Sequence, residues 1–152
     1  LIARKLAACP LVLCVAPACV AQHGPLERIE QLATYPAIVY TKHGQAEDWR
    51  YITPDGSQGS VKLKRAFAGN SAAMQVAACK QGLGIAILPI FAVWDDLQSG
   101  ALLEVLPDYQ SYPPRGIYAM FPQNRHLSTR VRLFVDWMGE VSKSFPWNKR
   151  KE

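Results

Sequence analysis

The segment GNSAAMQVAACKQGLGIAILP, residues 69–89, carries one charged side chain, Lys80, among small and apolar residues. Asn70 or Ser71 suits the N-cap of a helix, and Gly82 suits the left-handed position that ends one. The run GIAILP that follows is short, continuously apolar and typical of a strand buried on both faces. A helix that leads directly into such a strand predicts an α/β domain in which the helix packs on the sheet.

Strand-like and helix-like segments alternate on both sides of this stretch. Buried strands are predicted at PLVLCVAP (residues 10–17) and AIVYT (37–41), with short helices in ACVAQHG and PLERIEQLATYP between them. After GIAILP the sequence predicts a helix ending at Gly100 and strands in ALLEVLP and RGIYAMFP. Ser128 suits the N-cap of a last helix, whose apolar residues recur every three or four positions: Val131, Phe134, Val135, Met138, Val141 and Phe145. This alternation predicts a mostly parallel sheet covered by helices.

The segment WRYITPDGSQGSVKLKRAF, residues 49–67, breaks the alternation. The tripeptide PDG gives a turn signal between two strand-like runs. In the second run, Val61 and Leu63 alternate with lysines, which predicts one buried and one solvated face. We therefore expect an antiparallel excursion from the α/β pattern.

The composition excludes several classes of protein. The chain has 152 residues, of which 49% are hydrophobic, and this is enough for a domain with a real core. The net charge of +5 owes much to the terminal NKRKE, so no basic patch for nucleic acid is predicted. The four cysteines form no C-x-x-C pair and no histidine has metal-ligand spacing, so we expect buried, reduced thiols and no metal site. Pro10 and Pro17 interrupt the apolar run near the start, which is too short to span a bilayer.

No motif supplies the groups of a catalytic site. DGSQG lacks the spacing of a nucleophile elbow and lies in a polar turn. His23, His43 and His126 are scattered over predicted loops, where a solvated surface position is expected for each. The GLG at Gly82 ends a helix and opens a strand, which is the reverse of the order in a dinucleotide-binding fingerprint. We therefore predict no catalytic residue and no cofactor.

Small and polar residues follow the predicted strands, where the carboxyl ends of parallel strands would meet at one edge of the sheet. The candidates for a binding site are Ala16, Pro17, Thr41, Lys42, Gly69, Asn70 and Ser71. The free N–H groups of a helix N-terminus at this edge favour a carboxylate or another anionic group. We therefore predict that a small anionic metabolite binds there. The sequence alone leaves open that Asn70 and Ser71 only cap their own helix.

Taken in order, several segments resemble the effector-binding domain of LysR-type transcriptional regulators. They are LIARKLAACPLVLCVAPACVAQHG, AIVYT, the turn from Trp49 to Gly56, NSAAMQVAACKQGLGIAILP, GALLEVLPDY and IYAMFPQNRHLSTRVRLFVDWM. The series covers nearly the whole chain in the family order. The resemblance implies an α/β fold of the type 2 periplasmic-binding-protein-like kind, with a small-molecule effector bound in a cleft between two subdomains. It also implies that the helix after Asn70 lies against the sheet, so that its lack of charge is a packing requirement.

The resemblance further implies how the chain divides. Residues 1–12 correspond to the end of subdomain I and a crossing strand, 13–115 to subdomain II, 116–146 to a second crossing strand and the C-terminal helix of subdomain I, and 147–152 to a basic tail. Subdomain I is then incomplete, and the family's N-terminal winged helix-turn-helix lies outside the chain. The apolar stripe of the last helix is consequently expected to lack part of its usual partner.

These expectations describe the inducer-binding part of a cytoplasmic, homo-oligomeric regulator that catalyses nothing, does not contact membranes and reaches DNA only through the missing winged helix-turn-helix. One alternative is an exported solute-binding protein of the same fold class. The basic pair, apolar run and small residues at the start are similar in order to a secretory signal. Two facts argue against a signal: the lack of an initiator Met favours an internal Leu1, and Pro10 and Pro17 prevent the run from forming one continuous helix. Another alternative is an enzyme on the same fold, such as a deaminase or synthase, with its catalytic group in the missing half.

Overall fold

The computed structural model describes residues 1–41, 48–123 and 128–150, and it divides into two compact units. The larger unit is Pro10–Pro114, and the smaller one combines Leu1–Cys9 with the chain from Arg115 onward. The divisions expected at 12/13 and 115/116 lie close to these boundaries. The assignment of the two units to the second and first subdomains of the family stays a prediction.

The part of the chain that the structure describes contains four α-helices and ten strands. The helices are α1 (Pro17–His23), α2 (Ala72–Lys80), α3 (Ile90–Ser99) and α4 (Thr129–Lys143). The strands are β1 (Ile2–Ala8), β2 (Leu11–Val15), β3 (Pro36–Tyr40), β4 (Asp48–Ile52), β5 (Gln58–Lys62), β6 (Lys64–Gly69), β7 (Ile85–Pro89), β8 (Leu103–Glu104), β9 (Gln110–Ser111) and β10 (Gly116–Phe121). Two short 3-10 helices, Ile29–Ala33 and Pro146–Lys149, are also present.

A five-stranded sheet in the order β6-β3-β7-β2-β8 forms the centre of the larger unit. β3 runs parallel to β6 and β7, whereas β2 runs antiparallel to β7 and β8. The expectation of a mostly parallel sheet is therefore wrong for β2 alone, since β8, which is antiparallel to β2, again runs in the direction of β3, β6 and β7. β2 and β3 lie on either side of β7, where Cys14 and Ile38 both pair with Ala86. Because β2 and β3 run in opposite directions, β2 ends and β3 begins at the same edge of the sheet. Hydrophobic periodicity does not indicate in which direction a strand such as β2 runs relative to its neighbours.

The helix and strand predicted in the segment of residues 69–89 are confirmed as α2 and β7. α2 packs on β3, β6 and β7, and the core of the larger unit contains Leu32, Ile38, Ile85, Leu88, Ile90 and Leu102, each at most 2% exposed. The sheet side of α2 buries Gln75, Ala78 and Cys79, but Met74 on its other side is 44% exposed. Packing on the sheet therefore explains the lack of charge on only one side of this helix.

The antiparallel excursion is confirmed for β4 and β5, which lie in the three-stranded sheet β5-β4-β9. It is wrong for residues 64–67, which belong to β6 and run parallel to β3 in the five-stranded sheet. β4 and β5 pair antiparallel around the PDG turn, where the backbone N–H of Ser57 donates to Oδ1 of Asp55 at 3.1 Å. Trp49 and Tyr51 are buried and alternate with exposed residues along β4, so this sheet has one buried and one solvated face.

In the smaller unit, β1 and β10 form an antiparallel ribbon on which α4 packs. Arg4 of β1 makes an ion pair with Asp136 of α4. Ser128 caps α4 as predicted, because its hydroxyl accepts a hydrogen bond from the backbone N–H of Val131 at 3.3 Å. The cap stabilises the start of α4. The ion pair links α4 to β1.

The predicted apolar stripe of α4 packs only in part. Val135 is buried, but Phe134 is 59% exposed and Trp137, on the same outer side, is 58% exposed. A polar residue takes the place of an apolar one in the buried row, since Ser142 is fully buried and its hydroxyl donates to the backbone carbonyl of Leu6 at 2.8 Å. The expectation that part of the usual partner of this stripe lies outside the chain stays a prediction.

Candidate ligand-binding site

Two parallel strands of the larger unit end side by side and bring several predicted site residues together. Tyr40 at the end of β3 lies opposite Gly69 at the end of β6, and the backbone N–H of Thr41 donates to the carbonyl of Gly69 at 2.9 Å. Asn70 and Ser71 follow directly and lead into α2. Thr41, Gly69, Asn70 and Ser71 therefore lie together at the edge of the sheet where β3 and β6 end. We call this edge the carboxyl edge. Lys42 lies outside the described residues.

Ala16 and Pro17 do not lie at the carboxyl edge, and the expectation that they would is wrong. They follow β2, which is antiparallel to the neighbouring β7, so its carboxyl end is at the opposite edge of the sheet. The start of β2 lies at the carboxyl edge instead, where the carbonyl of Pro10 accepts a hydrogen bond from the backbone N–H of Ile90 at 3.0 Å. The assignment failed because the sequence does not indicate the direction in which β2 runs.

The N-terminus of α2 is not capped by the side chain of its own N-cap residue. Ser71 occupies the N-cap in an extended conformation, but its hydroxyl makes no capping hydrogen bond, in contrast to Ser128 on α4. The first turn of α2 contains no acidic residue. Its free N–H groups therefore keep their partial positive charge without a side-chain acceptor from Ser71. The alternative in which Ser71 serves only as a cap does not fit this geometry.

Gly69 has a steric role at the carboxyl edge. A Cβ atom on Gly69 would lie 2.8 Å from Sδ of Met74, in the first turn of α2. The absence of a side chain thus leaves room for the flexible side chain of Met74 beside the end of β6.

Gln75 is a residue of this region that the sequence reasoning missed. It lies one turn into α2, its side chain is 2% exposed, and its Nε2 finds no hydrogen-bond partner among the described residues. The apolar composition around Gln75 predicted packing against the sheet, and no local pattern indicated that an amide there would be left without a partner.

A second polar feature lies elsewhere on the larger unit. An open groove of about 530 Å³ is lined by Ala33, Leu63 and the basic residues Lys62, Lys64 and Arg65. Lys64 begins β6, so this groove is at the amino end of that strand and away from the carboxyl edge.

Other kinds of site find no support in the described ranges. No group of three or more His, Cys, Asp or Glu there is arranged to hold a metal ion. None of the helices described has the length and apolar character that crossing a membrane requires. All four cysteines are buried thiols outside any disulfide. His23 is exposed, whereas His43 and His126 lie outside the described residues.

Comparison with known proteins identifies the family of this fold. The family model of the LysR substrate binding domain matches residues 1–143. The transcriptional regulator DmlR of Escherichia coli K12 is 30% identical over 139 residues, which are 91% of this chain and 44% of DmlR. The chain thus spans about half the length, or less, of the curated relatives it matches.

Solved structures of regulatory domains have the same fold. The AphB regulatory domain from Vibrio vulnificus superimposes with a TM-score of 0.77 and 28% identity, over 92% of this chain and 69% of that domain. The CrgA regulatory domain from Neisseria meningitidis gives a TM-score of 0.77 and 25% identity, over 92% of this chain and 68% of that one. These relatives are regulators of transcription. The chain therefore belongs to the LysR substrate-binding domain family and has its periplasmic-binding-protein-like fold.

Proposed function

We propose that this chain is the ligand-sensing part of a LysR-type DNA-binding transcriptional regulator and that it binds a small anionic metabolite at the carboxyl edge. The observation that carries the proposal is the N-terminus of α2, where Ser71 does not cap the helix and no acidic residue occupies the first turn. An anion placed there would accept hydrogen bonds from backbone N–H groups and interact favourably with the helix dipole.

The ligand contacts that we propose come from backbone and side chains at the end of the two parallel strands. Asn70 and the hydroxyl of Thr41 supply donors, and both residues are exposed at the carboxyl edge. Ser71 is half-buried, and its hydroxyl is free to donate to a ligand instead of capping the helix. Lys42 follows Thr41 in sequence, and we propose that it adds a positive charge. We assign no ligand contact to Ala16 or Pro17.

The regulatory role is proposed for the whole protein, of which this chain resembles one part. A ligand that binds one arrangement of the two subdomains more tightly than another would shift the population toward it. In a homo-oligomer that shift would change how the subunits present their winged helix-turn-helix domains to DNA. We propose that this takes place in the cytoplasm, because a regulator of transcription has to reach DNA.

The two alternatives receive less support. The relatives are regulators of transcription and not transport components or enzymes, which favours sensing over solute delivery and over catalysis. We therefore propose that the chain neither turns over its ligand nor delivers it to a transporter.

The proposal predicts that Asn70→Ala combined with Ser71→Ala weakens anion binding while the fold is retained. The probes are sodium succinate and sodium benzoate, and the readouts are the melting temperature and the dissociation constant by calorimetry. We expect at least one probe to bind the parent chain, and the double variant to bind it about tenfold more weakly or worse, because hydrogen bonds to a charged group are lost. The free energy of unfolding without ligand should change by less than about 0.5 kcal/mol, since Ser71 makes no cap.

Ser128→Ala is the matched control. It removes a serine that does cap its helix, so it should lose about 1 kcal/mol of stability and keep the anion affinity of the parent. A double variant that binds succinate or benzoate as tightly as the parent contradicts the assigned site. A parent chain that binds neither probe contradicts the anionic ligand.

A further inference from the structure

Gln75 differs from the other buried polar residue in the described part of the chain. Ser142 is fully buried, but its hydroxyl donates to the carbonyl of Leu6 at 2.8 Å and lies 2.9 Å from that of Gly139. Gln75 is 2% exposed, and no described group pairs with its Nε2. A buried amide with unused N–H donors is costly, because it has given up water without gaining a partner.

Nothing in the packing of α2 requires an amide at this position. The other two buried residues of the helix, Ala78 and Cys79, are small and uncharged. Methionine would fill the volume of Gln75 without any polar atom that needs a partner. The cost of the glutamine is therefore unexplained by the fold of the unit alone.

The geometry of an α-helix directs the side chain of Gln75 toward the N-terminal end of α2, which lies at the carboxyl edge. Its backbone N–H donates to the carbonyl of Ser71 at 3.0 Å, so Gln75 lies directly one turn after the N-cap. Side chains on a helix lean toward the helix N-terminus, which carries the Gln75 amide back over the first turn. On its buried side α2 packs against β7, β3 and β6, and the last two of these strands end at this edge. The unused donors and the free N–H groups of the first turn are thus at the same end of α2.

We propose that Nε2 of Gln75 donates a hydrogen bond to the ligand, to a carboxylate oxygen that enters beneath the first turn of α2. This inference rests on the proposed function and adds to it a side chain that selects the ligand. The exposed Asn70 and Thr41 meet the outer part of the anion, and Gln75 meets the inner part. A ligand whose inner end is apolar would leave the amide without a partner and would bind less well.

Gln75→Met tests the proposal in the full 152-residue chain, with succinate and benzoate as probes. The variant keeps the length of the side chain and removes the donors. We expect its melting temperature without ligand to equal or exceed that of the parent, because an unpartnered buried amide has been replaced by an apolar group. We expect the affinity for the carboxylate that binds the parent to fall about tenfold.

Two further variants make the result specific. Gln81→Met changes an exposed glutamine at the other end of the same helix and should alter neither quantity. Gln75→Glu keeps the shape but replaces the donors with a carboxylate, so anion binding should weaken more than in Gln75→Met because the two negative charges repel.

The possible results distinguish the role of Gln75 from the existence of the anion site at the carboxyl edge. If Gln75→Met gains stability but binds the carboxylate as tightly as the parent, the amide holds a water molecule or nothing, and the inference is overturned while the anion site stands. If Gln75→Met melts well below the parent, the amide has a structural partner and the inference is equally overturned. If the parent binds neither probe, the proposed function fails first.

Discussion

Replacing Gly84 with alanine should lower the free energy of unfolding by about 3 kcal/mol, because the new methyl group overlaps the backbone of a neighbouring strand. A Cβ atom on Gly84 would lie 2.5 Å from the carbonyl oxygen and 2.8 Å from the carbonyl carbon of Pro36. These are backbone atoms at the start of β3, so no side-chain rotation relieves the overlap. β3 and β7 would have to separate where Ala37 pairs with Ile85, in the middle of the sheet.

The measurement is urea denaturation of both proteins, followed by circular dichroism at pH 7. Gly100→Ala is the matched control. Gly84 and Gly100 both have a positive φ, which for Gly100 is 79°, but a Cβ atom added to Gly100 would meet nothing within 4 Å. Gly100→Ala should therefore lower the free energy of unfolding by only about 1 kcal/mol, because alanine is strained at a positive φ. Equal losses in the two variants would mean that Gly84 is not required for the close approach of β7 to β3.

Alkaline pH should destabilise the protein strongly through a buried thiol. Cys79 is fully buried, and burial, followed by the charge of Cys19, raises its pKa to about 12 from the ordinary value of 9.0. The folded state therefore holds a proton that the unfolded chain releases above pH 9. Stability is fully present below pH 9 and is lost as the pH rises toward 12, by about 4 kcal/mol over the whole interval.

A buried tyrosine acts in the same direction at higher pH. The hydroxyl of Tyr35 lies 3.2 Å from the backbone carbonyl of Cys19 and 3.1 Å from that of Gly24, so its one proton has two buried acceptors within reach. Burial, with added contributions from Cys19, raises the pKa of Tyr35 to about 12. Its contribution begins to fall only above pH 10, so the interval from pH 8 to pH 10 reports mainly on thiols.

Urea denaturation between pH 8 and pH 10, in the presence of a reductant, measures the effect of Cys79. The parent should lose about 1.4 kcal/mol for each pH unit above 9 from this thiol. Cys79→Ala should start from a lower stability at pH 8, because a buried side chain is truncated, but its stability should fall less steeply with pH. The same slope in both proteins would show that Cys79 is not the thiol that titrates.

The sequence predicted those parts of the fold that local signals determine. GIAILP formed a buried strand, PDG formed the turn between β4 and β5, and Ser128 capped α4, because each depends on a few neighbouring residues. The direction of β2 could not be predicted, since an apolar strand has the same pattern in either direction. The burial of Ser142 depends on a carbonyl at Leu6, which is distant in sequence.

The candidate site divides along the same line. Thr41, Gly69, Asn70 and Ser71 come together because β3 and β6 are parallel neighbours. The sequence predicted that these residues share one edge, but it assigned residues 64–67 to the antiparallel excursion and not to a parallel strand. Ala16 and Pro17 were assigned on the assumption that β2 shares that direction. The capping role of Ser71 was undecided from sequence, because the same residue type occurs at helix starts whether or not its hydroxyl bonds to the helix.

An anionic ligand that binds at the carboxyl edge should change the backbone amide NMR signals of the residues that form this edge. With succinate or benzoate added in steps, the signals of residues 69–75 and of Thr41 should shift and saturate together. Those of residues 16–19, at the opposite edge of the sheet, and of the groove around Lys62 and Lys64 should stay in place. Saturating shifts confined to the groove or to residues 16–19, with residues 69–75 unchanged, would contradict the account.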